Sequence, residues 1–110
     1  MEKKKIAVIG AGYVGLSLSS LLALKHDVIC YDKDASKVDK INCGITTIKD
    51  DKIDAILNNK NICLKATTDS SKALSKAEII IIATPTDYNI ETGQFDTDSI
   101  EESLEIILNL

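Results

Sequence analysis

The sequence predicts an α/β fold, a parallel sheet with helices on its faces, and three observations carry that prediction. Short aliphatic runs alternate with segments of helical periodicity along the 110 residues. One run, Ile79 to Ala83, is four isoleucines and an alanine, the pattern of a strand buried on both sides. Three of the five glycines crowd between Gly10 and Gly15, where the first strand-like run meets the first helix-like one.

Each element follows in order. Lys5 to Ile9 reads as a buried strand, and Tyr13 to Lys25 as a helix whose Val14, Leu18, Leu21 and Leu22 recur at helical spacing. Val28 to Tyr31 is a second strand, ended by Asp32. Ser36 to Asn42 is a short helix begun by a serine cap and stopped near Gly44, and Asp50 to Leu57 is another with Ile53, Ile56 and Leu57 on one face. Ile62 to Ala66 is a third strand, Ser70 to Lys76 a short helix, and Ile79 to Ala83 the fourth strand. Thr97 to Leu110 opens with a Thr or Asp cap and sets Ile100, Leu104, Ile107 and Leu108 on one helical stripe. The irregular segment Thr84 to Thr97 is a loop over a rigid scaffold, where function concentrates. The expected strand order is 3-2-1-4, with the fourth strand an exposed edge and the last helix only partly covered.

Composition narrows the function classes. With 45% hydrophobic residues the chain can bury one core, so residues 1–110 are read as one domain. Net charge is −4, and all 13 basic residues are lysines, so no arginine fork is available for phosphate or a base edge. Nucleic acid is excluded as a partner on that ground. Apolar runs fall far short of the roughly 20 residues of a membrane span, and "MEKKK" leads into a strand-like run. The expected location is the cytoplasm. Cys30, Cys43 and Cys63 are odd in number and form no CxxC, which suggests neither a disulfide framework nor a zinc site.

The glycines match G-x-G-x-x-G at the junction of strand and helix. Gly10 allows a tight turn, Gly12 lets the backbone approach a pyrophosphate, and Gly15 lets the helix pack closely on the sheet. The helix N-terminus adds N–H groups and a positive dipole for the phosphates. Asp32, 17 residues after Gly15, ends the second strand where a carboxylate accepts from both adenosine ribose hydroxyls and repels a 2′-phosphate. NAD is therefore the expected cofactor, rather than NADP. The fold is accordingly a Rossmann-like dinucleotide-binding domain, expected to be truncated because no strand follows the last helix. After the fourth strand, Thr84 and Thr86 offer hydroxyls at the crevice while Pro85 stiffens the turn.

"KIAVIGAGYVGLSLSSLLA", "DVICYDKDASKVDKINCG", "IIIIATPTDYN" and "FDTDSIEE" together resemble the N-terminal NAD-binding part of the UDP-glucose 6-dehydrogenases, within the UDP-glucose/GDP-mannose dehydrogenase family. The resemblance implies oxidation of the C6 alcohol of UDP-glucose to UDP-glucuronate with two NAD, for polysaccharide synthesis, through an aldehyde and a cysteine thioester. It places Val14, Asp32, Lys37 and Thr86 on NAD-contacting positions, with Tyr13 inside the matching "GYVGL". It also implies a homodimeric parent whose UDP-sugar domains, with the nucleophilic cysteine, lie later in the chain. No catalytic residue is therefore expected among the 110. A relative acting on UDP-N-acetylmannosamine or GDP-mannose shares this half, and a non-catalytic NAD-sensing domain shares the glycine motif and acidic residue. The three cysteines and His26 read as structural, and the pairs Asp50–Asp51 and Glu101–Glu102 as solvated helix starts.

Overall fold

A computed structural model describes residues 2–45, 52, 55–56, 62–84, 88–89, 94–95 and 98–108. In chain order the elements are β1 (Lys5–Ile9), α1 (Tyr13–Leu22), β2 (Asp27–Tyr31), α2 (Ala35–Asn42), β3 (Leu64–Thr67), α3 (Ser70–Leu74), β4 (Ile79–Ile82), β5 (Tyr88–Asn89), β6 (Gln94–Phe95) and α4 (Asp98–Leu108). Lys52, Ala55 and Ile56 of the helix expected at Asp50 to Leu57 are helical; its other residues lie outside the described ones. Inside the expected loop, β5 and β6 form a small antiparallel ribbon, with Tyr88 opposite Phe95 and Asn89 opposite Gln94.

The main sheet has the order β3-β2-β1-β4 and every pair is parallel, as the alternation of elements predicts. β1 is central, and alternate residues feed two layers. Ile6 and Val8 pack with Ala23 and Val28 under α1, next to a cluster of Ala11, Leu16, Cys30, Val38, Ile41 and Ala66 that seats α2. Ala7 and Ile9 face the other way, onto Ala73 and Leu74 of α3 with Ile106 and Ile107 of α4. A strand covered on both faces has no reason to alternate apolar with polar, which accounts for the continuous run "IAVI". Fully buried Val8 and Leu16 each contribute about 1.5–3 kcal/mol relative to exposure.

The helix faces depart from what spacing predicts. Of the expected α1 stripe, Val14 is 60% and Leu21 59% exposed, while Gly15, Leu16, Ser19 and Ser20 are buried. The cause is close approach: a Cβ on Gly15 would overlap the Gly10 carbonyl oxygen, so small side chains face the sheet. The Ser20 hydroxyl is satisfied there by donating to the Leu16 carbonyl at 2.8 Å. In α4 the buried residue is Ser103, and Leu104 and Leu108 of the expected stripe point outward.

Element ends are equally specific. α1 stops at Leu22 rather than Lys25, because Leu24 and Lys25 N–H donate three residues back, to Leu21 and Leu22, in a tightened turn. That turn brings His26 inside, where its Nδ1 accepts from Lys4 N–H at 3.0 Å, a structural role. The cap of α2 is Asp34, two residues before the expected serine; it accepts from Ser36 and Lys37 N–H. Gly44, at φ +76°, closes the helix as its N–H donates to the Ile41 carbonyl and Ile45 N–H to that of Lys40.

Candidate functional site

The carboxyl ends of β1, β2 and β4 open into a cleft of about 750 Å³, bordered by the start of α1 and by α4. It lies where the chain, having built outward from β1 through β2 to β3, crosses back to β4, the position where open α/β sheets bind ligands.

The glycine turn forms its floor. Gly10 adopts φ +110°, a conformation closed to most side chains, and a Cβ there would come within 2.7 Å of the Ala83 carbonyl oxygen. Its N–H donates to the Tyr31 carbonyl at 2.8 Å, tying the turn to the end of β2. Gly12 is different: a Cβ there would meet nothing within 4 Å, so the backbone faces open space in the cleft. Gly12 is also the N-cap of α1, with no side-chain cap bond and no acidic residue in the first turn. Gly15 does not line the cleft; it is buried and serves the packing of α1 on the turn.

Asp32 is held from two sides. Oδ2 accepts from Ala11 N–H and Oδ1 from Asp34 N–H, each at 2.9 Å, so one carboxylate joins the loops leading into α1 and α2. It remains half-buried and lines the cleft with Lys37, Tyr13 and Val14, the last two more than half exposed. Across the cleft, Thr84 presents a buried Oγ1 without a hydrogen-bond partner among the described residues. A buried hydroxyl left unsatisfied is costly, and a ligand in the cleft would remove that cost. Pro85 and Thr86, named with it from the sequence, lie outside the described residues.

Beneath the turn, Cys30 Sγ donates to the Gly10 carbonyl at 3.6 Å. Burial pushes its thiol up to about 11, so this cysteine is a packing group and not a nucleophile. The arrangement can hold a dinucleotide: an open backbone and helix N-terminus for phosphates, a fixed carboxylate for ribose hydroxyls and a free hydroxyl opposite.

Sequence reasoning missed Ala11, Tyr31 and the α4 residues Ile100, Glu102, Ser103 and Ile106, all of which line the cleft. The Ala11 contact is made by a backbone amide, which leaves no trace in residue type. Ser103 left one: it sits three residues from both Ile100 and Ile106, a polar group on an otherwise apolar helical face.

Residues 4–110 match the UDP-glucose/GDP-mannose dehydrogenase family, NAD binding domain. A UDP-glucose 6-dehydrogenase of Streptococcus pneumoniae is 44% identical over 101 residues, 92% of this chain and 26% of that protein. A UDP-glucose 6-dehydrogenase of Campylobacter jejuni is 37% identical over 108 residues, 96% of this chain and 28% of that protein. Among solved structures, a ternary complex of GDP-mannose dehydrogenase from Pseudomonas aeruginosa superposes with a TM-score of 0.86 at 30% identity, covering 94% of this chain and 24% of that one. The chain thus spans about a quarter of the length of these relatives.

Proposed function

Because the chain belongs to the UDP-glucose/GDP-mannose dehydrogenase family, whose NAD-binding domain it carries, we propose that it is the cofactor-binding part of a UDP-glucose 6-dehydrogenase. The observation that carries the binding role is the glycine turn: an open backbone at Gly12, an uncapped α1 and Asp32 fixed beside them by Ala11 N–H. The choice of sugar is supported by the two UDP-glucose 6-dehydrogenase relatives described above.

In this reading the bound NAD would supply the hydride acceptor for oxidation at C6 of UDP-glucose, two NAD and one water being consumed per sugar, and the product is UDP-glucuronate for polysaccharide synthesis, formed with two NADH and released protons. The residues of this chain bind and orient. Gly10, Gly12 and the first turn of α1 receive the pyrophosphate, and Asp32 takes the two adenosine ribose hydroxyls in preference to a 2′-phosphate. Tyr13, Val14 and Lys37 wall the same side, while Thr84, with Pro85 and Thr86, holds the opposite side of the cofactor. The cysteine that carries the thioester, and the UDP-sugar site, belong to domains outside residues 1–110 of a cytoplasmic homodimer. The 110-residue chain alone binds NAD and forms no NADH.

Amide shifts on titration with NAD and with NADP test the binding role, and tighter binding of NADP would overturn the part given to Asp32. For the reaction, the complete product of the gene is assayed with UDP-glucose, UDP-N-acetylmannosamine and GDP-mannose. Two NADH per UDP-glucose is the expected result. Turnover of GDP-mannose instead would favour the second reading, which the similarity to GDP-mannose dehydrogenase supports.

A further inference from the structure

The turn from β2 into α2 sets two lysines at one corner of the cofactor cleft. Lys33 lies inside the turn closed by Asp34 N–H on Asp32 Oδ1 at 2.9 Å, and Lys37 is in the first turn of α2. Both line the cleft beside Asp32, Lys33 exposed and Lys37 half-buried. Neither ammonium has a carboxylate within 4.0 Å among the described residues. The neighbouring acids are committed to backbone amides instead: Asp34 Oδ1 accepts from Ser36 and Lys37 N–H, and Asp32 from Ala11 and Asp34 N–H.

Helix stability does not account for these cations. The dipole disfavours positive charge at a helix N-terminus, yet Lys33 stands just ahead of the Asp34 cap and Lys37 three residues after it. Binding of an unphosphorylated ribose does not account for the pair either, since a carboxylate alone serves its hydroxyls. Two cations without an acid partner, at the start of a helix and on the wall of a cleft, match a further anionic group. On an adenine dinucleotide whose ribose is held at Asp32, that group is a 2′-phosphate. Lysine meets phosphate as a point charge, so the guanidinium fork that this chain lacks is not required. Given the cofactor-binding role proposed above, we propose that Lys33 and Lys37 form a 2′-phosphate subsite opposed by Asp32 alone. NADP is then a second ligand of this cleft, and the preference for NAD rests on one carboxylate.

Calorimetric titration of the complete product of the gene with NAD and with NADP tests this. At low salt NADP binds within about thirtyfold of NAD, and the gap widens as salt is raised, because two attractions outweigh one repulsion and all are screened. Lys33→Glu in the native chain widens the gap about tenfold further. Asp32→Asn keeps the size of the side chain and one acceptor for the backbone amides; it reverses the order, with NADP the tighter ligand by about tenfold. In that background Lys33→Ala and Lys37→Ala each lower NADP affinity, relative to that of NAD, by about fivefold or more. Retained NAD binding shows that a variant is folded. A gap in the native chain wider than about thirtyfold, or an NADP-to-NAD ratio that Lys33→Glu leaves unchanged, overturns the subsite and leaves the NAD-binding role standing. So does an Asp32→Asn protein that still favours NAD. Binding of neither dinucleotide by the native chain overturns both.

Discussion

Helices α1 and α2 begin at the same edge of the sheet, each a short loop after a parallel strand, and they treat their first turns in opposite ways. α2 is closed by Asp34, whose carboxylate accepts from Ser36 and Lys37 N–H; α3 repeats the device with Asp69. α1 starts at Gly12 with no side-chain acceptor. A cap of that kind contributes about 0.5–2 kcal/mol and requires a single residue, and among the three helices whose N-caps are described it is missing at α1 alone. Asp32 stands between the two starts and bonds to both loops, through Ala11 N–H and Asp34 N–H. The starts of α2 and α3 are satisfied by their own caps, and the start of α1, at the cleft, has no side-chain acceptor.

Breaking the packing under the uncapped helix gives the largest effect. Gly15→Val drives a side chain into the Gly10 carbonyl, so a loss on the order of 3–5 kcal/mol, or failure to fold, is expected in denaturant titration. Giving α1 the cap of α2 tests the comparison directly. Gly12→Asp has room for its side chain, leaves stability within about 1 kcal/mol, and weakens NAD binding about 100-fold in calorimetry because charge and bulk enter the cleft. Unchanged NAD affinity in that variant would mean that the open N-terminus is not where phosphate sits.

Cys30 sharpens the picture of the turn from below. Its folded pKa of about 11 lies above the ordinary 9.0, so the neutral thiol is the form that the fold favours. Stability from this group is complete below about pH 9 and is lost as pH rises toward 11, since the unfolded chain ionises first; the loss is on the order of 2 kcal/mol. Stability measured from pH 8 to 11 shows that slope in the native chain and a shallower one in Cys30→Ala. The smallest effect belongs to the ordinary cap: Asp34→Ala costs about 1 kcal/mol in urea unfolding and leaves NAD affinity nearly unchanged.

Much of the site was legible because its chemistry is carried by residue identity at fixed spacing. Gly10 and Gly12 announce a turn and a close backbone approach, and Asp32 at the end of β2 announces a carboxylate at the cleft; the structure places all three at its wall. The partner that fixes Asp32 was not legible, being the amide of Ala11. Thr84 was legible as a hydroxyl after β4, but its unsatisfied state required the packing around it. The serine taken for the cap of α2 was displaced by Asp34 because several capping residues stood in a row in "DKDAS", and the exact start of the helix is decided by where β2 delivers the chain.

By itself the sequence determined the order of the main-sheet strands, their all-parallel pairing, the glycine turn and the acidic end of β2, because local periodicity and residue chemistry are sufficient for each, whereas the ribbon of β5 and β6 was read as loop. Only the tertiary structure decided which faces of α1 and α4 turn inward. Both helices carry apolar residues on two sides, so periodicity offers two solutions. Inter-element distance selects one: with Gly15 against the Gly10 carbonyl, α1 lies too close for a full leucine stripe and turns Ser19 and Ser20 to the sheet instead.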